Sequence, residues 1–193
     1  MYSNSLSGWP DYTCVLAYID HAISKIATST PASSLAKYLN IKVPLASENP
    51  YGFDTTDLDE CYGINVIDIK KDISVILEKF APKYVFHLTT LEMIVPGMYE
   101  EFMQDAIKLK ILLAVGYDFS VINGNSKDSL HVSFVSKVWN GRVSLIDYYI
   151  DKKGKEINIE YPTIIEGIRR VKGGFWLIGT QNDLNLLSKL YEL

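Results

Sequence analysis

The stretch that decides the fold reads Leu130-His131-Val132-Ser133-Phe134-Val135-Ser136-Lys137-Val138-Trp139-Asn140-Gly141-Arg142-Val143-Ser144-Leu145-Ile146-Asp147. Two runs rich in β-branched and aromatic residues flank Trp139-Asn140-Gly141, a strong hairpin signal. The strands are expected at Leu130 to Val138 and Val143 to Ile150. Two loop lengths fit. With a two-residue turn at Asn140-Gly141, Trp139 opposes Arg142 and Asp147 opposes Phe134. His131 and Asp147 then point to opposite faces, because side chains alternate along a strand. With a three-residue loop and Gly141 left-handed, Val138 opposes Arg142 and Asp147 opposes Ser133. His131 then lies diagonally from Asp147 on the same face. The first arrangement forbids a His–Asp dyad unless a further bulge intervenes; the second permits it, and Gly141 suits it.

Working outward, further strands are expected at Ile111 to Ile122, Ile157 to Tyr161 and Phe175 to Thr180. Asn123-Gly124-Asn125 and Lys152-Lys153-Gly154 read as turns. Helices are expected at Pro162 to Val171 and Asn182 to Leu193. Upstream the character changes. Val15, Tyr18, Ile19, Ala22, Ile23 and Ile26 recur at helical spacing after Pro10-Asp11, with Asp11 as N-cap, so a helix is expected from Tyr12 to Ala27. Pro31 opens a second helix to Leu39. Residues 44–62 read as an irregular, acidic, solvated loop without the spacing of a calcium site. Ile64 to Ile69 alternates as a half-buried strand. Lys70 to Phe80 and Met98 to Leu109 are helical, and Tyr84 to Leu88 is strand-like. Helices in the first half and strands in the second indicate an α+β fold with an antiparallel sheet.

The bulk properties exclude several classes. At 193 residues the chain is expected to form a single domain, 1–193, large enough to bury a core without disulfides or metal. Apolar residues make up 48% and charged residues 22%, which is globular composition. The net charge of −4 provides no electrostatic basis for nucleic-acid binding. The N-terminus lacks a basic start and a long apolar run, and two cysteines make no disulfide framework. No membrane association is expected, and the cytoplasm is the expected compartment. No phosphate loop, dinucleotide fingerprint, paired-histidine motif or Cys-x-x-Cys occurs, so neither a cofactor nor a metal is expected.

Chemistry centres on Cys14. A thiol in the first turn of a helix meets unpaired amides and the positive end of the helix dipole, and both favour the thiolate. Its own amide is placed to donate to an oxyanion. The alternative is a small buried hydrophobe. Such a nucleophile needs a base and the base an orienting group, which His131 and Asp147 can supply. Each of the two alternatively reads as a polar group on the solvent side of a strand. Cys61 stands beside Asp57, Asp59 and Glu60, which disfavour a thiolate. His21 lies two turns from Cys14, too far for a direct hydrogen bond. His87 reads as a core or sheet-edge residue.

The order of these parts, a helix-borne Cys followed by a sheet carrying His and Asp, resembles the papain-like superfamily. His131-Val132-Ser133-Phe134-Val135 and Val143-Ser144-Leu145-Ile146-Asp147, with a His-to-Asp interval of sixteen, are similar to the His and Asp strands of two groups. One is the bacteriocin leader-processing peptidases. The other is the N-terminal domains of butirosin-biosynthesis acyltransferases. Gly173 to Ile178 is similar to the closing strand of such domains. The resemblance implies a papain-like domain with Cys14 as nucleophile, His131 as base and Asp147 as orienting residue. Peptidases of this group carry a Gln one turn before the Cys as second oxyanion donor. Here Ser7-Gly8-Trp9-Pro10-Asp11-Tyr12-Thr13-Cys14 has none, and Asn4 or a backbone amide would have to substitute. A thioester needs less oxyanion help than an amide. The expectation is therefore a thiol acyltransferase in natural-product biosynthesis, taking its acyl group from a thioester, with an acyl or peptidyl carrier protein as partner. The basic runs Lys152–Lys155 and Arg169–Lys172 are candidate docking surfaces for that acidic partner, or plain solvated faces. The alternatives are a cysteine peptidase acting on a peptide leader and a non-catalytic papain-like binding protein.

Overall fold

A computed structural model describes residues 14–27, 66–124, 130–147 and 155–193. The chain divides into two compact units. One comprises Met1–Pro82 with Asp147–Lys155, the other Lys83–Ile146 with Glu156–Leu193. The Asp11 cap, the helix at 31–39, the loop at 44–62 and the turn at Lys152-Lys153-Gly154 lie outside the described residues.

In the first unit, helix α1 (Cys14–Ile26) follows its apolar spacing: Val15, Tyr18, Ile19, Ala22 and Ile23 are all buried. His21, half-buried on the same helix, has its pKa lowered to about 4 by desolvation and then by the Lys25 charge. Its folded-state pKa is depressed, so the neutral ring is the form that the fold accommodates. Stability is fully present above the unfolded value of 6.5 and is lost as pH falls toward 4. Urea titrations across that window should show the decline, and His21→Gln should remove its share of it. Helix α2 (Val66–Phe80) buries Ile73, Ile76 and Leu77. It overturns the expected strand at Ile64 to Ile69 from Val66 onward. Val66, Ile69, Ile73, Ile76 and Phe80 continue one helical repeat, and over six residues an alternating pattern cannot be told from the start of that repeat.

The second unit is a six-stranded sheet with helices. Its elements are β1 (Tyr84–Thr89), α3 (Tyr99–Lys108), β2 (Leu112–Asp118), α4 (Ser120–Asn123), β3 (Leu130–Trp139) and β4 (Arg142–Asp147), then β5 (Lys155–Glu160), α5 (Tyr161–Arg170), β6 (Gly174–Thr180) and α6 (Gln181–Tyr191). Asp147 and Lys155, at the ends of β4 and β5, group with the first unit. Strand order is β1-β6-β2-β3-β4-β5, and the pairings β1–β6, β6–β2, β2–β3 and β3–β4 are antiparallel. The α+β class is as expected, and α5 and α6 lie where helices are expected at Pro162 to Val171 and Asn182 to Leu193. Strand β6 runs through the sheet interior. Its Phe175, Trp176, Leu177 and Ile178 are all buried, as an uninterrupted apolar run predicts for a strand covered on both faces. Leu113, Val115 and Tyr117 of β2 join Phe175 and Leu177 in one core with Phe102 of α3, Ile164 and Ile168 of α5, and Leu184 and Leu187 of α6.

Strand β2 is shorter than the expected Ile111 to Ile122. The Asp118 carboxylate accepts from the Ser120 backbone N–H at 2.9 Å and from Ser120 Oγ at 2.5 Å. These local bonds turn the chain out of the ladder and into α4, as short polar side chains do. Gly124, with φ 70°, ends α4 in a left-handed conformation.

The hairpin combines features of both sequence alternatives. Trp139 pairs with Arg142, and Asn140 (φ 47°) and Gly141 (φ 74°) are both left-handed, so the loop is the tight two-residue turn, not the three-residue loop. A bulge then intervenes at Ser136: Lys137 pairs with Ser144, but Val135 pairs with Leu145 and Phe134 with Ile146. Burial explains it. Val135 and Val138 are both buried and stand three apart, whereas their partners Leu145 and Val143 stand two apart. One extra residue reconciles the two spacings. Ser136 and Lys137 take the exposed positions, and Ser136 Oγ donates to the Ser144 carbonyl at 3.2 Å. The turn is fastened from both sides. Gly141 N–H donates to the Glu100 carboxylate at 3.0 Å, and its carbonyl accepts from Tyr161 N–H at 2.8 Å.

Candidate active site

His131 is the second residue of β3 and stands directly across from Tyr117 of β2. It is 6% exposed, so the solvent-side reading does not apply. Its ring meets Tyr117 edge-on at 5.7 Å and 89°, and Phe119 at 4.5 Å and 42°. Beside it, Tyr117 Oη and Ser133 Oγ share a hydrogen bond of 3.2 Å. None of these three neighbours stood out in the sequence. Tyr117 carried a signal, since it continues the alternation of Leu113 and Val115, but the pairing of β2 with β3 could not be read from spacing.

Asp147 closes β4 and is 1% exposed, which also removes its surface reading. A carboxylate this buried requires polar partners. The register bears on both residues. Since Val135 pairs with Leu145, alternation along β3 carries Ser133 and His131 onto the face of Leu145. Asp147 lies two residues beyond Leu145 in β4. The pairing beyond the bulge is thus the one that the three-residue alternative required, reached by the other turn.

Cys14 is the first described residue of α1, half-buried and with a free thiol. It belongs to the first unit, and His131 to the second. Cys61 lies outside the described residues. His87 sits on β1, at the edge of the sheet, half-buried. It lines a groove of about 210 Å3 between β1 and α6 with Leu177, Leu184, Gln181 and Asn185.

The basic run near the C-terminus is partly neutralised. Arg169 pairs with Glu166 at 2.6 Å; Arg170 pairs with Glu166 at 3.3 Å and reaches the buried Asp118 at 3.7 Å. The hydrogen bonds from Arg169 and then Arg170 hold the Glu166 carboxyl below its ordinary pKa. Two of the cations counted as a docking patch thus have acidic neighbours. Lys152 and Lys153 lie outside the described residues. Among the described residues, no group of three His, Cys, Asp or Glu side chains could hold a metal ion, and no helix is long and apolar enough to cross a membrane.

A scan of the sequence against protein-family models and a search of the curated proteins both return no match.

Proposed function

We propose that the chain is a papain-like thiol acyltransferase in which Cys14 is the nucleophile, His131 the base and Asp147 the group that orients His131. The observation that carries the reading is the hairpin register, whose bulge at Ser136 puts His131 on the face of Leu145, two residues before Asp147. Burial of both residues adds to it, because an orienting carboxylate acts more strongly away from water.

In this reading His131 takes the Cys14 proton, and the thiolate attacks the carbonyl carbon of a thioester. The Cys14 amide donates to the oxyanion. The tetrahedral adduct collapses, the C–S bond to the donor breaks, and the departing thiolate takes the proton from His131. An amine or water then attacks the acyl-Cys14 thioester, gives its proton to His131, and releases Cys14 as thiolate. The donor is an acyl thioester, carried on a carrier protein or a small thiol.

A second reading has one observation in its favour. His131 is packed against two aromatic rings in the core, as a structural histidine of a non-catalytic binding protein would be. Intact-protein mass spectrometry with an acyl N-acetylcysteamine thioester separates the two. Acyl transfer predicts one added acyl group, absent from Cys14→Ala. Equal labelling of both proteins, or of neither, would exclude it.

A further inference from the structure

We infer that Tyr117 and Phe119 are positioning residues for His131, forming an aromatic clamp that holds the imidazole in one plane. The catalytic consequence rests on the acyl-transfer reading; the clamp itself does not. Tyr117 is the direct cross-strand partner of His131, so the ladder sets their separation before any side chain packs. Phe119 lies just past the end of β2, two residues after Tyr117, so strand alternation already directs it to the face of His131. The Asp118–Ser120 bonds fold the chain there, leaving Phe119 with φ −65° and ψ −19°. Its ring meets the imidazole at 4.5 Å and 42°, whereas Tyr117 meets it at 89°. Rings at two different inclinations block rotation about the imidazole's Cβ–Cγ bond, since turning away from one drives it into the other.

The clamp is itself held. Tyr117 Oη is tied to Ser133 Oγ, on the same face of β3 as His131. Behind Tyr117, α5 comes close at Gly167, where a Cβ would meet Tyr117 Cβ at 3.4 Å and Val121 Cγ2 at 3.0 Å. The buried Asp118 thereby has a function: it fixes the backbone that aims Phe119, and Arg170 stands near its second oxygen at 3.7 Å.

The test uses Phe119→Met, which keeps core volume without a ring, and Tyr117→Phe, which keeps both rings. NMR of the His131 imidazole protons reads the packing of the rings, and the split between acylation rate and KM is the readout that a merely structural role would not move. In the wild type these protons should carry ring-current shifts. The shifts should shrink in Phe119→Met and persist in Tyr117→Phe. Single-turnover acylation of Cys14 by the N-acetylcysteamine thioester should fall roughly 10- to 100-fold in Phe119→Met with KM within about twofold, and by a smaller factor in Tyr117→Phe, which keeps the ring but loses its tie to Ser133. If Phe119→Met does not fold, Ser120→Ala should give a smaller change of the same sign. Unaltered imidazole signals in the folded variant would overturn the clamp. A wild-type protein that is never acylated would overturn the acyl-transfer reading instead, and the imidazole signals would still decide the clamp.

Discussion

Gly173→Ala is expected to destabilise the protein by about 3 kcal/mol or more, and to lower Tm by on the order of 10 °C or prevent folding. A Cβ at Gly173 would stand 1.8 Å from the Gly116 carbonyl oxygen and 2.5 Å from its carbon. Both obstacles are backbone atoms of β2, in the middle of the sheet, so no rotamer change relieves the overlap. The chain must instead separate where Gly116 pairs with Gly174. Gly174 has its own constraint: with φ 153° it favours glycine, and a Cβ there would come within 2.8 Å of the Thr89 carbonyl oxygen of β1. The Gly173-Gly174 pair is thus where β6 enters between β1 and β2. Gly97→Ala is the control. It has φ 98° but nothing within 4 Å, so it should cost about 1 kcal/mol through backbone strain alone. Equal melting temperatures for the two variants would contradict the close approach.

The second large effect concerns chemistry. Under the proposed function, His131→Ala should slow acylation of Cys14 by about 10²- to 10⁴-fold, the range for a lost general base. Asp147→Asn should cost about 10²-fold or more, because the amide can hold the imidazole in the wrong tautomer. Single-turnover mass spectrometry reads both. The ratio matters as much as the size. If His131→Ala is slow and Asp147→Asn is as fast as wild type, Asp147 is a structural carboxylate and another group orients the base.

Much of this fold was legible in the sequence, for identifiable reasons. Helices with a full apolar repeat, such as Val15 to Ile26 and Met98 to Leu109, are specified by spacing that only a helix satisfies. The strand at Phe175 to Thr180 was legible as a strand, but its place between β1 and β2 was not. Strand order depends on contacts such as Gly173 with Gly116 that no local pattern encodes. Two strands differ from their expected bounds. Ile64 to Ile69 reads as a strand by alternation, and Ile111 to Ile122 as one strand-like run. In the first case a longer helical repeat overrode it, in the second a side-chain turn at Asp118. The hairpin is more instructive. Loop length alone does not decide between the two alternatives, because the register is set jointly by the turn and the bulge. The signal for the bulge was present: Val135 and Val138 are three apart, while Val143 and Leu145 are two apart. Of the candidate site, the residue types and their order were legible. The aromatic surroundings of His131 were not, since they arise from pairing with a strand that precedes it in the chain.

The most direct test of the central claim is the alkylation of Cys14 at neutral pH in the wild type and in His131→Ala. It requires no knowledge of the substrate. A thiol with an unperturbed pKa of about 8.5 reacts slowly at pH 7, whereas one paired with an imidazole reacts as thiolate. Coupling of the two residues predicts that Cys14 reacts at least about tenfold faster than Cys61, and that His131→Ala removes the difference. A Cys14 rate that is the same in both proteins would contradict it.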